Sequence, residues 1–396
     1  MKNICVKSVA VISVLSLCVP LQALAVTGAT VDKAPHQVSY ERERTDAEWR
    51  TLRDNNLEWD EIQDLVHEYN PTISKAWLSF RNSDNEGAFN ISYDDAIQSI
   101  EDTYDATLSQ STSDLTDAFA EFSRSTSYAN VDTSLQNNDR EVNELSLKRS
   151  ELQMTEAIQE QVIAVYTTQL TTQLNQLTSD YDKTLIGKTE RQLATGQATE
   201  LDLLTAQKTS KDADIALTSA QAAEVKAKQS LLVNLGWAYN ATPTICAVPD
   251  VADAMINSID LTADTTKALD NSFQLQVDER KQNVSVSDSS IAQMALTVDN
   301  DKNQVQSDIM SAYNALINAK NEYAKAQLQA SNLNETLAQT QRAFTAGTAS
   351  QRELEAAQYN ASAQTINTAL SKYALQKSYF SYLATRDGLA GGSASA

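Results

Sequence analysis

Turn-forming residues are scarce in this chain, with nine glycines and five prolines in 396 residues. A fold of many short strands needs a turn every few residues, so that class is excluded. Cysteine is nearly absent. Cys5 and Cys18 lie in the first segment of the chain, which leaves Cys246 without a partner for an internal disulfide. Cys246 reads as a small, partly buried apolar residue. Histidine occurs only at 36 and 67, and no paired His or Cys spacing suits a metal. His67 reads as a residue on a helix face. No Gly-rich phosphate loop and no Gly-x-Ser-x-Gly elbow is present, so no catalytic, cofactor or metal residues are assigned. Basic charge is short too: 31 Lys and Arg stand against 52 Asp and Glu, a net charge of −21. That balance excludes nucleic acid as a partner and argues against attraction to anionic lipid.

Only one apolar run is long, and it opens the chain. Lys2 and Lys7 precede the segment 9–19, and Ala23-Leu24-Ala25 forms a small-x-small site. Residues 1–25 therefore read as a secretory signal peptide. A lipoprotein signal ending at Cys18 is the weaker reading, because Leu17 is too large for the residue before a lipidated cysteine. Residues 26–50 show no periodicity and read as an extended arm.

What is abundant is Ala, Gln, Leu, Thr, Ser, Asp and Asn, a composition for long helices. Ile291, Val298, Val305, Ala312, Ala319, Ala326, Leu333 and Thr340 recur every seventh residue. Ala295, Lys302, Ile309, Leu316, Tyr323, Ala330, Leu337 and Phe344 form a second row four residues on. Together they make the seam of a coiled coil. Val277 and Val284 extend one row backwards, which predicts a single helix over residues 264–346, roughly 80 residues and ~120 Å long.

One phrase occurs twice. "RQLATGQATELDLLTAQ" at 191–207 returns as "RAFTAGTASQRELEAAQ" at 342–358 at a constant offset. Gly196 and Gly347 each stop a helical pattern, since glycine reaches the left-handed conformation cheaply. Thr199 and Ser350 follow as N-caps, and Asp202 and Glu353 complete a capping box in each copy. Each phrase thus encodes helix, tight turn, helix. The fold class is all-α, with long antiparallel helical hairpins in two internal repeats and little or no β. Repeat 1 spans 51–240, a Pro-bearing linker 241–255, repeat 2 256–390, and a flexible tail 391–396. The stretches 57–73 and 259–275 align as a short helix followed by a break into a longer one. Within 81–135, "RNSDNEG" reads as a loop, 94–122 as a helix and "SRSTSYANVDTS" as a second break.

The repeated turn, the Asn70-Pro71 helix start, the Leu235-Gly236 helix end and the stretch "SAYNALINA" at 311–319 resemble the TolC family of outer-membrane efflux proteins. The resemblance covers roughly 57–390. It implies a homotrimeric α-helical tunnel in the cell envelope, with the glycine turns facing a membrane-anchored adaptor or pump. It also implies that the acidic residues six positions after each turn glycine, Asp202 and Glu353, constrict the entrance. The chain departs from the family pattern at Phe344, Ala349 and Ala356, where Tyr, Arg and Asp are usual, so the hydrogen-bonded lock of the family is not reproduced. Membrane strands of about 9–11 alternating residues are also missing, because Ile291, Val298 and Val305 keep helical phase where repeat 2 should carry them. Two readings stay open: a component of an efflux conduit, and a secreted helical scaffold of the envelope without transport.

Overall fold

The computed structural model describes residues 44–89, 93–110 and 113–391. The signal-peptide reading, residues 26–43 and residues 392–396 of the tail lie outside the described residues. The architecture is all-α. The first part of the chain comprises α1 (Asp46–Arg53), α2 (Ile62–Tyr69), α3 (Pro71–Asn85), α4 (Tyr93–Ser109), α5 (Asp114–Asn138), α6 (Arg140–Ala194) and α7 (Glu200–Asn234). The second comprises α8 (Asp253–Asn257), α9 (Leu261–Asn271), α10 (Phe273–Val284), α11 (Asp288–Thr345) and α12 (Gln351–Ala384). Among the described residues the only strands are β1 (Asn56–Leu57) and β2 (Thr244–Ile245), one short parallel pair. Tyr166 on α6 steadies that pair by donating to the carbonyls of Ile245 and Cys246 at 2.8 and 3.0 Å.

Four long helices carry the architecture. α6 packs along α7, α12 packs along α11, and α6 lies against α12, giving the order α7–α6–α12–α11. The heptad seam of α11 is the surface that meets α12 and the shorter helices: Val298, Val305, Ile309, Leu316 and Ala326 are buried, while Phe344 near the turn is exposed. Burial is densest away from the glycine turns. One core cluster gathers Leu57, Ile62, Val66 and Trp77 around Ile158, Val162, Leu231 and Leu235. The other gathers Ala268, Val305, Ile309, Leu316, Leu375 and Tyr382. Phe380 packs against both and so joins the two clusters.

Several expectations are corrected. The 264–346 segment is three helices, not one. The first break is at Ser272, which is fully buried; its hydroxyl accepts from the Leu275 amide at 3.2 Å and donates to the Ala390 carbonyl at 2.7 Å. The second is at 285–287, where Asp132 of α5 accepts from the amides of Val286 and Ser287 at 2.5 and 3.2 Å and from the Ser287 hydroxyl. Tertiary acceptors thus replace the helical ones, a choice that heptad phase does not register. Part of the presumed arm is helix α1, closed by a capping box between Thr45 and Glu48. "RNSDNEG" is helical as far as Asn85, the 94–122 segment is interrupted before the N-cap Ser113, and "SRSTSYANVDTS" lies inside α5. In α5 the hydroxyls of Thr126 and Thr133 donate to carbonyls one turn back at 2.9 Å, so polar side chains sit in the helix without breaking it.

His67 lies on α2, on its buried face, and its Nδ1 lies 2.9 Å from Glu151 on α6. The same Glu151 oxygen accepts from the Trp77 indole at 2.7 Å. This polar knot ties α2 and α3 to α6.

Candidate functional site at the hairpin tips

The two glycine turns have the same geometry. At Gly196 φ is +71°, and at Gly347 it is +75°. In the first turn the Gln197 amide donates to the Gln192 carbonyl at 2.8 Å and the Gly196 amide to Leu193 at 3.0 Å. In the second, Thr348 donates to Ala343 at 2.9 Å and Gly347 to Phe344 at 3.0 Å. Both are Schellman closures, in which a left-handed residue lets the chain satisfy the last carbonyls of its helix.

The next helices start in the same way. The Thr199 amide and hydroxyl donate to Asp202 at 2.8 and 2.7 Å, and the Asp202 amide donates back to the hydroxyl at 3.2 Å. The Ser350 amide and hydroxyl donate to Glu353 at 2.6 and 2.8 Å, with the return bond at 3.2 Å. The Thr199 amide holds the Asp202 carboxyl below its ordinary pKa, and the Ser350 amide does the same for Glu353. Both groups are therefore anionic at neutral pH, and both are exposed.

The tips lie side by side at one end of the four helices. Lys188 of α6, just before the first turn, makes an ion pair with Glu355 of α12, just after the second. Tyr181 and Tyr359 stack at 4.4 Å between ring centroids, and the Tyr359 hydroxyl lies 3.1 Å from that of Thr178. Sequence reasoning missed this clamp, since nothing in either phrase marks which residues meet across two hairpins. Further along, the shared face of α6 and α12 forms a groove lined by Ala157, Ile163, Ala164, Leu370, Tyr373 and Ala374.

The outer helices leave apolar side chains uncovered. α7 exposes Leu201, Leu204, Ile215 and Val225, with Ile215 64% exposed. α11 exposes Leu296, Met310 and Leu328, the last again 64% exposed. Chemically the tips offer fixed carboxylates, amides and hydroxyls. Among the described residues no group of three His, Cys, Asp or Glu could hold a metal ion, and no helix is long and apolar enough to cross a membrane.

No protein-family model matches the chain, and no curated protein sequence matches it. Solved structures do. A membrane protein from Pseudomonas aeruginosa aligns over 91% of this chain and 95% of its own, with a TM-score of 0.52 and 13% identity. The CusC transmembrane channel aligns over 87% and 95%, with a TM-score of 0.52 and 14% identity. The CmeC outer-membrane channel of Campylobacter jejuni aligns over 90% and 92%, with a TM-score of 0.50 and 10% identity. None of the three is described as an enzyme. At such identities the likeness is one of fold.

Proposed function

We propose that this chain, whose fold is TolC-like, is an envelope component that assembles as a homotrimer into an α-helical conduit for efflux or export. The observation that carries the reading is the α7–α6–α12–α11 layer with unlike edges. α7 and α11 each keep an apolar row exposed. Two different edges that pair head to tail make a heterologous interface, which closes into a ring when the rotation per copy allows. Placed in a trimer, Asp202 and Glu353 would give six carboxylates at one mouth. The turns around Gly196, Thr199, Gly347 and Ser350 would meet a membrane-anchored adaptor or pump.

Sedimentation and crosslinking between cysteines placed along α7 and α11 test the assembly. Trimers with α7–α11 crosslinks support it, whereas a monomer at all concentrations, or α7–α7 crosslinks alone, defeats it. Asp202→Asn with Glu353→Gln is expected to leave the helix content intact, since amides still cap, while weakening cation binding at the mouth or contact with the adaptor.

A second reading, a helical scaffold without transport, is favoured by one specific feature. Helix α5 at 127–134, and the 285–287 turn with the start of α11, occupy the places where the TolC resemblance calls for membrane strands. Retention of every partner contact by the double variant, together with a non-trimeric state, would select this reading.

A further inference from the structure

Two acidic side chains face each other inside the contact between α10 and α11. Asp278 is 5% exposed and Asp301 is 8% exposed. Asp278 is well supplied with donors: Gln274 Nε2 donates to its Oδ2 at 2.5 Å and Lys281 Nζ to its Oδ1 at 3.2 Å. Asp301 is not. Its Oδ2 is buried and meets no donor, and the group it faces is the Asp278 carboxyl. Two acceptors in contact need a hydrogen between them, and a buried carboxylate without a donor is costly. A proton on Asp301 removes both problems by turning it into a donor.

We propose that a proton on Asp301, donated to Asp278, acts as a latch between α10 and α11, closed in mildly acidic surroundings and loosened as the pH rises. The position suits such a role. Asp278 lies on α10, which ends at the 285–287 turn held by Asp132 of α5. The Asp301 carbonyl oxygen lies 3.8 Å from where a Cβ on Gly391 would sit, and the Gly391 amide binds Asp308 further along α11 at 2.9 Å. The latch therefore sits where α10, α11 and Arg149 of α6 meet, beside the segment that ends at Gly391.

Charged groups act on Asp301 from α10 and α6, and those on the neighbouring elements are paired with one another. Lys281 on α10 and Arg149 on α6 favour the anion, while burial and Asp278 oppose it. Arg149 itself donates to Gln274. Lys302 on α11 pairs with Glu279 on α10 at 3.5 Å. Arg280 on α10 is directed to Asp139 and Glu141. On α9 and the C-terminal turn, Lys267 pairs with Asp387 at 2.8 Å, and Asp264 accepts from Tyr382 at 2.6 Å. The positive charges that act on Asp301, Lys281 and Arg149, do not offset burial and the neighbouring carboxyl, and Asp301 is pushed up from 3.8 to about 6.

A raised carboxyl pKa has a definite sign. Its contribution to stability is complete below the unfolded value of 3.8 and is lost as pH rises through about 6. Depressed carboxylates elsewhere, such as Asp139 and Asp387, act in the opposite sense at lower pH. The difference between wild type and Asp301→Asn isolates the latch, because an amide donates to Asp278 at every pH.

Three measurements on the full chain decide it. Carbon-13 titration of the Asp301 carboxyl in the wild type should give a midpoint near 6. Denaturation from pH 4.5 to 7.5 should show the wild type losing roughly ten- to hundredfold in its folding equilibrium relative to Asp301→Asn. Amide exchange of α10, corrected for its intrinsic pH dependence, should accelerate over the same range in the wild type and not in the variant. A carboxyl that titrates near the ordinary aspartate value, or parallel stability and exchange profiles, overturns the proposal. Should Asp301→Asn fail to fold, the wild-type titration by itself is decisive.

Discussion

At Gly196 and Gly347 a side chain would meet no atom within 4 Å, so any substitution there is penalised by backbone conformation alone. Gly236 is different. Its φ is +74°, and an added Cβ would lie 2.9 Å from the Tyr69 carbonyl oxygen. Gly347→Ala is expected to cost about 1–2 kcal/mol from the left-handed conformation. Gly347→Val should cost more, because a β-branched side chain resists positive φ. Gly236→Ala should also exceed Gly347→Ala, because backbone at the α2–α3 junction has to move. Urea denaturation of the three variants checks the order. The capping carboxylates supply a pH test. Their folded pKa values are lowered, so their contribution is present above the unfolded values, 3.8 for Asp202 and 4.5 for Glu353, and is lost as pH falls through the folded ones. Amide exchange should show the first turns of α7 and α12 fraying in acid before the middle of α6 does.

Among the elements, the helix breaks are held from outside. Asp139 caps α6 through the Val142 amide at 3.0 Å and binds Arg280 of α10 at 2.7 and 3.0 Å. Burial pushes this carboxyl up, but Arg280 and the Val142 amide outweigh burial and keep it below its ordinary value. Asp132 of α5 acts on the α10–α11 junction in a similar way, being 2% exposed and bonded to the 285–287 turn. Asp132→Ala leaves those part-buried amides without their acceptor. The expected loss is about 1–3 kcal/mol, read by chemical denaturation. An undiminished stability would mean that the turn forms without α5.

For the whole molecule, the four-helix layer has apolar rows on both edges and acidic tips at one end. An isolated chain leaves Ile215 and Leu328 in water. Ile215→Glu puts a charge into the proposed α7–α11 contact without touching the packed face of α7. Sedimentation should show it shifted to monomer while circular dichroism stays that of the wild type. If Ile215→Glu assembles as well as the wild type does, α7 is not the edge that pairs.

The sequence by itself determined the helical class, the two hairpins and their turns, because these depend on local chemistry. Gly196 and Gly347 reach positive φ, and Thr199 and Ser350 carry a hydroxyl three residues before a carboxylate. The seam of α11 was legible for a related reason: residues seven apart share a face whatever lies opposite. Tertiary structure alone decided the breaks at Ser272 and 285–287, since the groups that satisfy that backbone come from Ala390 and Asp132, far away in the chain. It alone decided that His67 is buried against Glu151 and that Lys188 meets Glu355. It also decided that two ordinary aspartates, Asp278 and Asp301, lie buried face to face. A proton affinity set by burial and by a neighbour on another helix leaves no mark in either residue's local sequence.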